Sequence, residues 1–228
     1  MSANWLSNLY VFKPDLDKYF ERINYTGSRD ATAETLKQIQ WHHLLAIPFE
    51  VLDIHIAAKG LIDITPEVIE RKLVREGRGG YCYEHNQLAL WVLRALGFEV
   101  TPILARSKWQ KPVDIVAGST HLVLQVKIDG KLWLFDAGWS NLGSAIPLQI
   151  ETDEAQPTYL ETRRIIQKDG CYIHQMLFQE KWHDMYSFTL NESFQNDWEI
   201  GSYYMYLKIA LHFLLTFANT GLMLYLAL

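Results

Sequence analysis

Arg78-Gly79-Gly80-Tyr81-Cys82-Tyr83-Glu84-His85-Asn86 places a cysteine directly after a glycine pair, at the start of a helical pattern. The helix reads from Cys82 to about Leu96 and stops at Gly97. The first turn of a helix carries unpaired N–H groups and the positive end of the helix dipole. Both favour a thiolate over a thiol, and glycines let a second molecule come close to the backbone. Cys82 is therefore a candidate nucleophile, and it needs a base from elsewhere in the chain.

Upstream of this stretch the patterns are helical. Leu36, Ile39 and Leu44 recur among Lys37, Gln38 and Gln40, which predicts a helix from Ala33 to about Ala46. It ends at Ile47, because the residue before Pro48 is pushed out of the α region. Thr65-Pro66-Glu67 supplies an N-cap, a proline at the first helical position and an acid in the first turn. That second helix should run to about Glu76, stop at Gly77 and deliver the chain to Cys82.

Downstream of Gly97 the patterns become those of strands, at 99–105, 120–128 and 131–136. Asp129-Gly130 predicts a two-residue hairpin between the last two of these. Asp169-Gly170 does the same for 163–167 and 171–178, and 185–190 reads as one further strand. The segments 111–118 and 141–158 read as loops. The reading is an α+β chain, helices first and antiparallel strands after.

The hairpin brings a base to the cysteine. A two-residue turn at Asp129-Gly130 pairs residues whose numbers sum to 259, so Val123 faces Asp136 and His121 faces Gly138. His121 and Asp136 then share one face of the sheet as diagonal neighbours. A carboxylate on one imidazole nitrogen fixes the tautomer and leaves the other free to take a proton. Cys82, His121 and Asp136 together form the expected catalytic set.

Composition excludes several classes. With 228 residues, 49% hydrophobic and 21% charged, the chain can bury a core. A net charge of −5 gives no electrostatic case for nucleic acid. Two cysteines, Cys82 and Cys171, make no disulfide framework, and Met1 to Trp5 lack a basic and apolar signal segment. The expectation is a cytoplasmic protein with free thiols. Cys82 and His85 have C-x-x-H spacing without a second pair, so no metal is expected. Cys171 reads as a strand residue, and His42 and His43 as capping or packing residues at a helix end. The run 209–228 has no charge but contains His212, Thr216, Asn219, Thr220 and Gly221, which favours a terminal helix or appended tail over a membrane anchor.

Four segments in order resemble the arylamine N-acetyltransferases. His43-Leu44-Leu45-Ala46-Ile47-Pro48-Phe49-Glu50 is similar to the family's H-x-x-x-[IV]-P-F-E-N segment, with Val51 in place of asparagine. The stretch from Arg78 to Asn86 matches R-G-G-x-C-x-E-x-N. Thr120-His121-Leu122-Val123-Leu124 and Asp136-Ala137-Gly138-Trp139 resemble the segments carrying the family's catalytic histidine and aspartate.

The resemblance implies an N-terminal helical bundle (1–97), an antiparallel β-barrel (98–200) and a C-terminal α/β lid. A papain-like Cys-His-Asp site would lie where the first two meet. It implies acetyl-CoA as acyl donor and an arylamine, arylhydrazine or N-arylhydroxylamine as acceptor. Transfer would be ping-pong through acetyl-Cys82, with a backbone N–H at Cys82 as oxyanion donor. Thr120, Gly138 and Trp139 would line the cleft for the acyl donor and acceptor. The likeness fades near Tyr204, so 201–228 is expected to be an atypical apolar remnant of a truncated or altered lid. A thioesterase or amidase using the same three residues, and an inactive family member, are the alternatives.

Overall fold

A computed structural model describes residues 12–56, 62–112 and 115–219. The expectations for Met1 to Trp5 and for 220–228 lie outside these residues.

Local signals set most helix ends. In α1 (Leu16–Arg22) the Asp15 carboxylate accepts from Lys18 N at 3.1 Å. In α2 (Ala33–Ala46) Thr32 Oγ1 accepts from Thr35 N at 3.2 Å, and Ile47 is extended (φ −109°) ahead of Pro48 as expected. A short α3 (Leu52–Ile56) follows. Thr65 occupies the N-cap position of α4 (Pro66–Glu70), yet its side chain makes no capping bond; Asp63 instead accepts from Thr65 N at 2.9 Å. The helix does not continue as α to Glu76. It widens into a π turn over Arg71–Arg75, in which Glu76 N donates to Arg71 O, and ends at Gly77 with φ +68°. Arg22 ties these ends together, donating to the carbonyls of Ala46 (2.6 Å), Leu73 (2.9 Å) and Gly77 (3.1 Å). The last helix of this group is α5 (Cys82–Ala95), closed at Gly97 with φ +89°.

The strands are β1 (Glu99–Ser107), β2 (Ser119–Ile128), β3 (Lys131–Phe135), β4 (Leu148–Gln149), β5 (Gln156–Pro157), β6 (Thr162–Lys168), β7 (Cys171–Phe178) and β8 (Lys181–Glu192). They form one antiparallel sheet in the order β4-β3-β2-β1-β8-β7-β6-β5. Asp129 and Gly130 take φ +50° and +75°, and the β2–β3 ladder runs Ile128↔Lys131, Val126↔Trp133, Leu124↔Phe135, the register with sum 259. Asp169-Gly170 turns β6 into β7 in the same way.

The sheet curls until its edge strands meet. Gln156, on β5, closes the seam through its side chain: Gln149 N donates to its Oε1 at 2.8 Å and its Nε2 donates to Gln149 O at 2.9 Å. The result is an antiparallel, nearly closed barrel. Its interior holds Ile103, Val123, Leu134, Ile165, Met185, Tyr186 and Phe188. Leu122, Leu124 and Val126 alternate to the outer face and pack with Leu90 and Leu93 of α5 in a second core. Truncating one such leucine to alanine costs about 2–5 kcal/mol.

After β8 the chain enters α6 (Gln195–Asn219), which starts with Asp197 accepting from Phe194 N at 2.9 Å. Trp198 and Ser202 are buried, and the hydroxyls of Tyr81 and Ser202 hydrogen-bond at 2.5 Å. Ile200, Tyr203, Tyr204 and Leu207 stay exposed. Among the described residues no helix is long and apolar enough to cross a membrane.

Candidate active site

The turn that carries Cys82 is held from two sides. Gly80 N donates to Pro48 O at 3.2 Å and Glu50 N to Gly80 O at 2.8 Å, so 48–50 runs beside the glycine pair as a short parallel bridge. A side chain at Gly79 would collide with Pro48 O, so glycine is required there. On the other side Glu84 closes α5 onto its N-cap, accepting from Tyr81 N at 3.1 Å. Glu84 also accepts from Lys72 Nζ at 2.8 Å, and Lys72 reaches Asp53 at 2.7 Å. Arg78 completes the cluster with bonds to Glu50 (2.6 Å) and Asp53 (2.9 Å). Lys72 reaches this cluster from within the π turn. Burial pushes the Glu84 carboxyl up in pKa, and burial opposes the charge on Lys72, whose acidic partners nevertheless raise it.

The three residues expected from the sequence come together. Cys82, half-buried, opens α5 with its Sγ 3.9 Å from the carbonyl oxygen of Thr120, the residue before His121, and near enough to the His121 ring to favour its charged form. His121 Nε2 lies 2.8 Å from Asp136 Oδ2. The β2–β3 ladder ends at Leu124↔Phe135, so Asp136 meets His121 from the first residue past its strand rather than from within it. Asp136 Oδ1 accepts from Asn86 Nδ2 (3.0 Å) and Gly138 N (2.9 Å). Burial works against charge on His121, yet Asp136 and Cys82 outweigh it and raise its pKa to about 9. Burial likewise opposes the Asp136 carboxylate, and His121, Asn86 and the Gly138 N–H overcome it and hold the pKa below its ordinary value. An imidazole that binds a proton this firmly, sitting between a carboxylate and a thiol, is equipped to take the proton of the thiol and to return it later.

The expected cleft residues take different places. Thr120 borders a cavity of about 350 Å³ with Leu104, Gly118 and residues of α6. Gly138 is buried against the start of α5, where a Cβ would stand 2.7 Å from Cys82 Cα. Trp139 sets its ring edge-on to His121 at 4.5 Å, and Tyr186 lies 5.2 Å from the same imidazole. A second cavity, about 440 Å³, is bounded by Leu44, Ile47, Phe49, His85, Ala137 and Ser140.

Several residues that matter escaped the sequence reading. Asn86, fully buried, donates to Leu122 O at 2.6 Å and accepts from Ala137 N at 2.9 Å as well as binding Asp136. It sits one turn after Cys82, so helical spacing alone could have aimed it at the same site. Gln40 accepts from Asp136 N at 3.2 Å from the opposite helix. His43, in the last turn of α2, packs as expected, fully buried, and is also bonded to His85 at 2.8 Å. Nothing local in the sequence pairs those two.

Comparison with known proteins agrees with this geometry. The N-acetyltransferase family model matches residues 32–220. The arylamine N-acetyltransferase of Mycobacterium bovis is 35% identical over 83% of this chain and 68% of its own length. That of Escherichia coli is 32% identical over 84% and 67%. Among solved structures, the Mycobacterium tuberculosis arylamine N-acetyltransferase superposes with a TM-score of 0.80 at 35% identity, covering 84% of this chain and 72% of that one. The Mycobacterium marinum enzyme in complex with CoA gives the same score and identity over 84% and 71%.

Proposed function

We propose, from the premise that the chain belongs to the arylamine N-acetyltransferase family, that it moves an acetyl group from acetyl-CoA to an arylamine, arylhydrazine or N-arylhydroxylamine through acetyl-Cys82. The observation that carries this reading is the alignment of Cys82, His121 and Asp136 at the seam between α5 and the barrel. His121 accepts the Cys82 proton and the sulfur attacks the thioester carbonyl. The tetrahedral adduct is stabilised by the Cys82 N–H at the start of α5, which has no acceptor within the helix. As it collapses, the bond to the CoA sulfur breaks, and His121 returns the proton to that leaving thiolate. The acceptor nitrogen (or the hydroxylamine oxygen) then attacks acetyl-Cys82. It gives a proton to His121, and the proton returns to the Cys82 sulfur as the product leaves. Asp136 keeps the imidazole oriented and stabilises its charge throughout.

The two cavities fit two substrates. The one beside Thr120 suits the acyl donor, in keeping with the CoA-bound relative, and the one walled by the Phe49 ring beside Ala137 suits an aromatic acceptor. A nucleophilic thiol is best kept in a reducing compartment, so the location that goes with this reading is the cytoplasm. The test is intact mass after acetyl-CoA, with and without an arylamine. An acetyl adduct that is absent in Cys82→Ala and discharged by the arylamine supports the reading. Discharge by water alone at the same rate makes the protein a thioesterase. No adduct makes it an inactive member.

A further inference from the structure

Tyr19, His43 and His85 form a continuous hydrogen-bonded chain inside the helical bundle, and all three are almost completely buried. Tyr19 Oη lies 3.0 Å from His43 Nδ1, His43 Nε2 lies 2.8 Å from His85 Nδ1, and His85 Nε2 lies 3.3 Å from Pro48 O. The polarity of the chain is fixed from its far end. A carbonyl can only accept, so His85 carries its proton on Nε2 and accepts on Nδ1. His43 must then donate from Nε2 and accept on Nδ1, and the Tyr19 hydroxyl donates to it. Both rings are neutral in this arrangement; burial holds His43 well below its ordinary pKa and lowers that of His85 to about 4.

The end of the chain meets the site. His85 sits one turn beyond Cys82 on α5, and Phe49 stacks on its ring with planes 7° apart and centroids 6.2 Å apart. Phe49 is 40% exposed and forms one wall of the cavity shared with Leu44, Ile47 and Ala137. A ring held at both nitrogens cannot turn about its bond to Cβ. It therefore fixes the face on which Phe49 rests and the carbonyl of the preceding Pro48. We propose that Tyr19, His43 and His85 are positioning residues that set the Phe49 wall relative to Cys82, and thereby the affinity for the aromatic acceptor. The inference rests on the acetyl-transfer reading above for the identity of that acceptor.

The experiment compares wild type with Tyr19→Phe, His43→Leu and His43→Gln. Gln places an amide donor near the position of the imidazole Nε2 and keeps the bond to His85. Acceptor KM is expected to rise about tenfold in His43→Leu, less in Tyr19→Phe, and to recover in His43→Gln, while the rate of Cys82 acetylation by acetyl-CoA changes less than about threefold. Nitrogen-15 NMR of the wild-type imidazoles should show protonated Nε2 and bare Nδ1 on both His43 and His85. An unchanged acceptor KM in both His43→Leu and Tyr19→Phe overturns the proposal. So does an acetylation rate that falls in step with it, or the opposite tautomer at His85. Tyr19→Phe removes one hydroxyl, so it keeps the test decisive where His43→Leu fails to fold. Should wild type form no acetyl-Cys82, the reaction proposed above fails on its own. Direct titration of a free arylamine then decides, and equal affinity for wild type and Tyr19→Phe overturns the positioning role.

Discussion

Asn86→Ala tests how the helical bundle and the barrel are held in register at the site. Asn86 is fully buried, and its amide ties α5 to β2 and to the segment just past β3: it donates to Leu122 O (2.6 Å) and Asp136 Oδ1 (3.0 Å) and accepts from Ala137 N (2.9 Å). Truncation leaves the Leu122 carbonyl and the Ala137 N–H buried without those partners. Each orphaned group costs about 1–3 kcal/mol, so the variant should lose about 4 kcal/mol. That is a large share of a typical total of about 5–15 kcal/mol. For a chain of this size the melting temperature should fall by roughly 10 °C. Asp136 keeps its bonds to His121 and to the Gly138 N–H, so acetylation of Cys82 in the remaining folded protein should slow but persist. Urea unfolding followed by tryptophan fluorescence reads the first effect and intact mass the second. Asn86→Asp sharpens the test. Its carboxylate can still accept from Ala137 but sets a second negative charge against Asp136, so its loss of stability should be greater at pH 8 than at pH 5. A loss below about 1 kcal/mol in Asn86→Ala, or an Asn86→Asp protein more stable at pH 8, would refute the bridging role.

Three further outcomes follow from the same geometry. Because His121 is raised from 6.5 to about 9, its pairing contributes about 3 kcal/mol that is present in full below pH 6.5 and lost as pH rises through 9. The Asp136 contribution is lost instead on acidification, as pH falls through its lowered value. Thermal melts should therefore decline between pH 7 and 10 in wild type and stay flatter in His121→Gln. Lys72→Ala strands the buried Glu84 carboxylate and should cost about 3–5 kcal/mol in urea unfolding, with Lys72→Met/Glu84→Gln recovering part of it. Gly138→Ala brings a methyl within 2.7 Å of Cys82 Cα and 2.8 Å of Asn86 Nδ2, where backbone cannot yield, so Cys82 acetylation should slow by about tenfold or more in single-turnover assays.

What the sequence discloses here is what local stereochemistry dictates. Asp129-Gly130 and Asp169-Gly170 take positive φ at both positions, the conformation for which those residue pairs are suited, and so each fixes a register in advance. Gln179-Glu180 adopts the same conformation (φ +49° and +61°) without a glycine, which is why β8 is four residues longer at its start than alternation suggests. The π turn at Arg71–Arg75 is equally silent, since its residues are ordinary helix formers and the partners of Lys72 and of Leu73 O come from distant segments. The site divides along the same line. Cys82 is marked by its helix start, and His121 with Asp136 by hairpin register, because each signal spans a few residues. The Asn86 bridge, the Gln156 seam and the His43–His85 bond depend on elements that meet only after the fold forms. These long-range bonds decide how tightly the locally encoded Cys82, His121 and Asp136 are held. Substitutions at the triad should therefore report on chemistry, and substitutions at the unreadable positions on the precision with which the two halves of the site are joined.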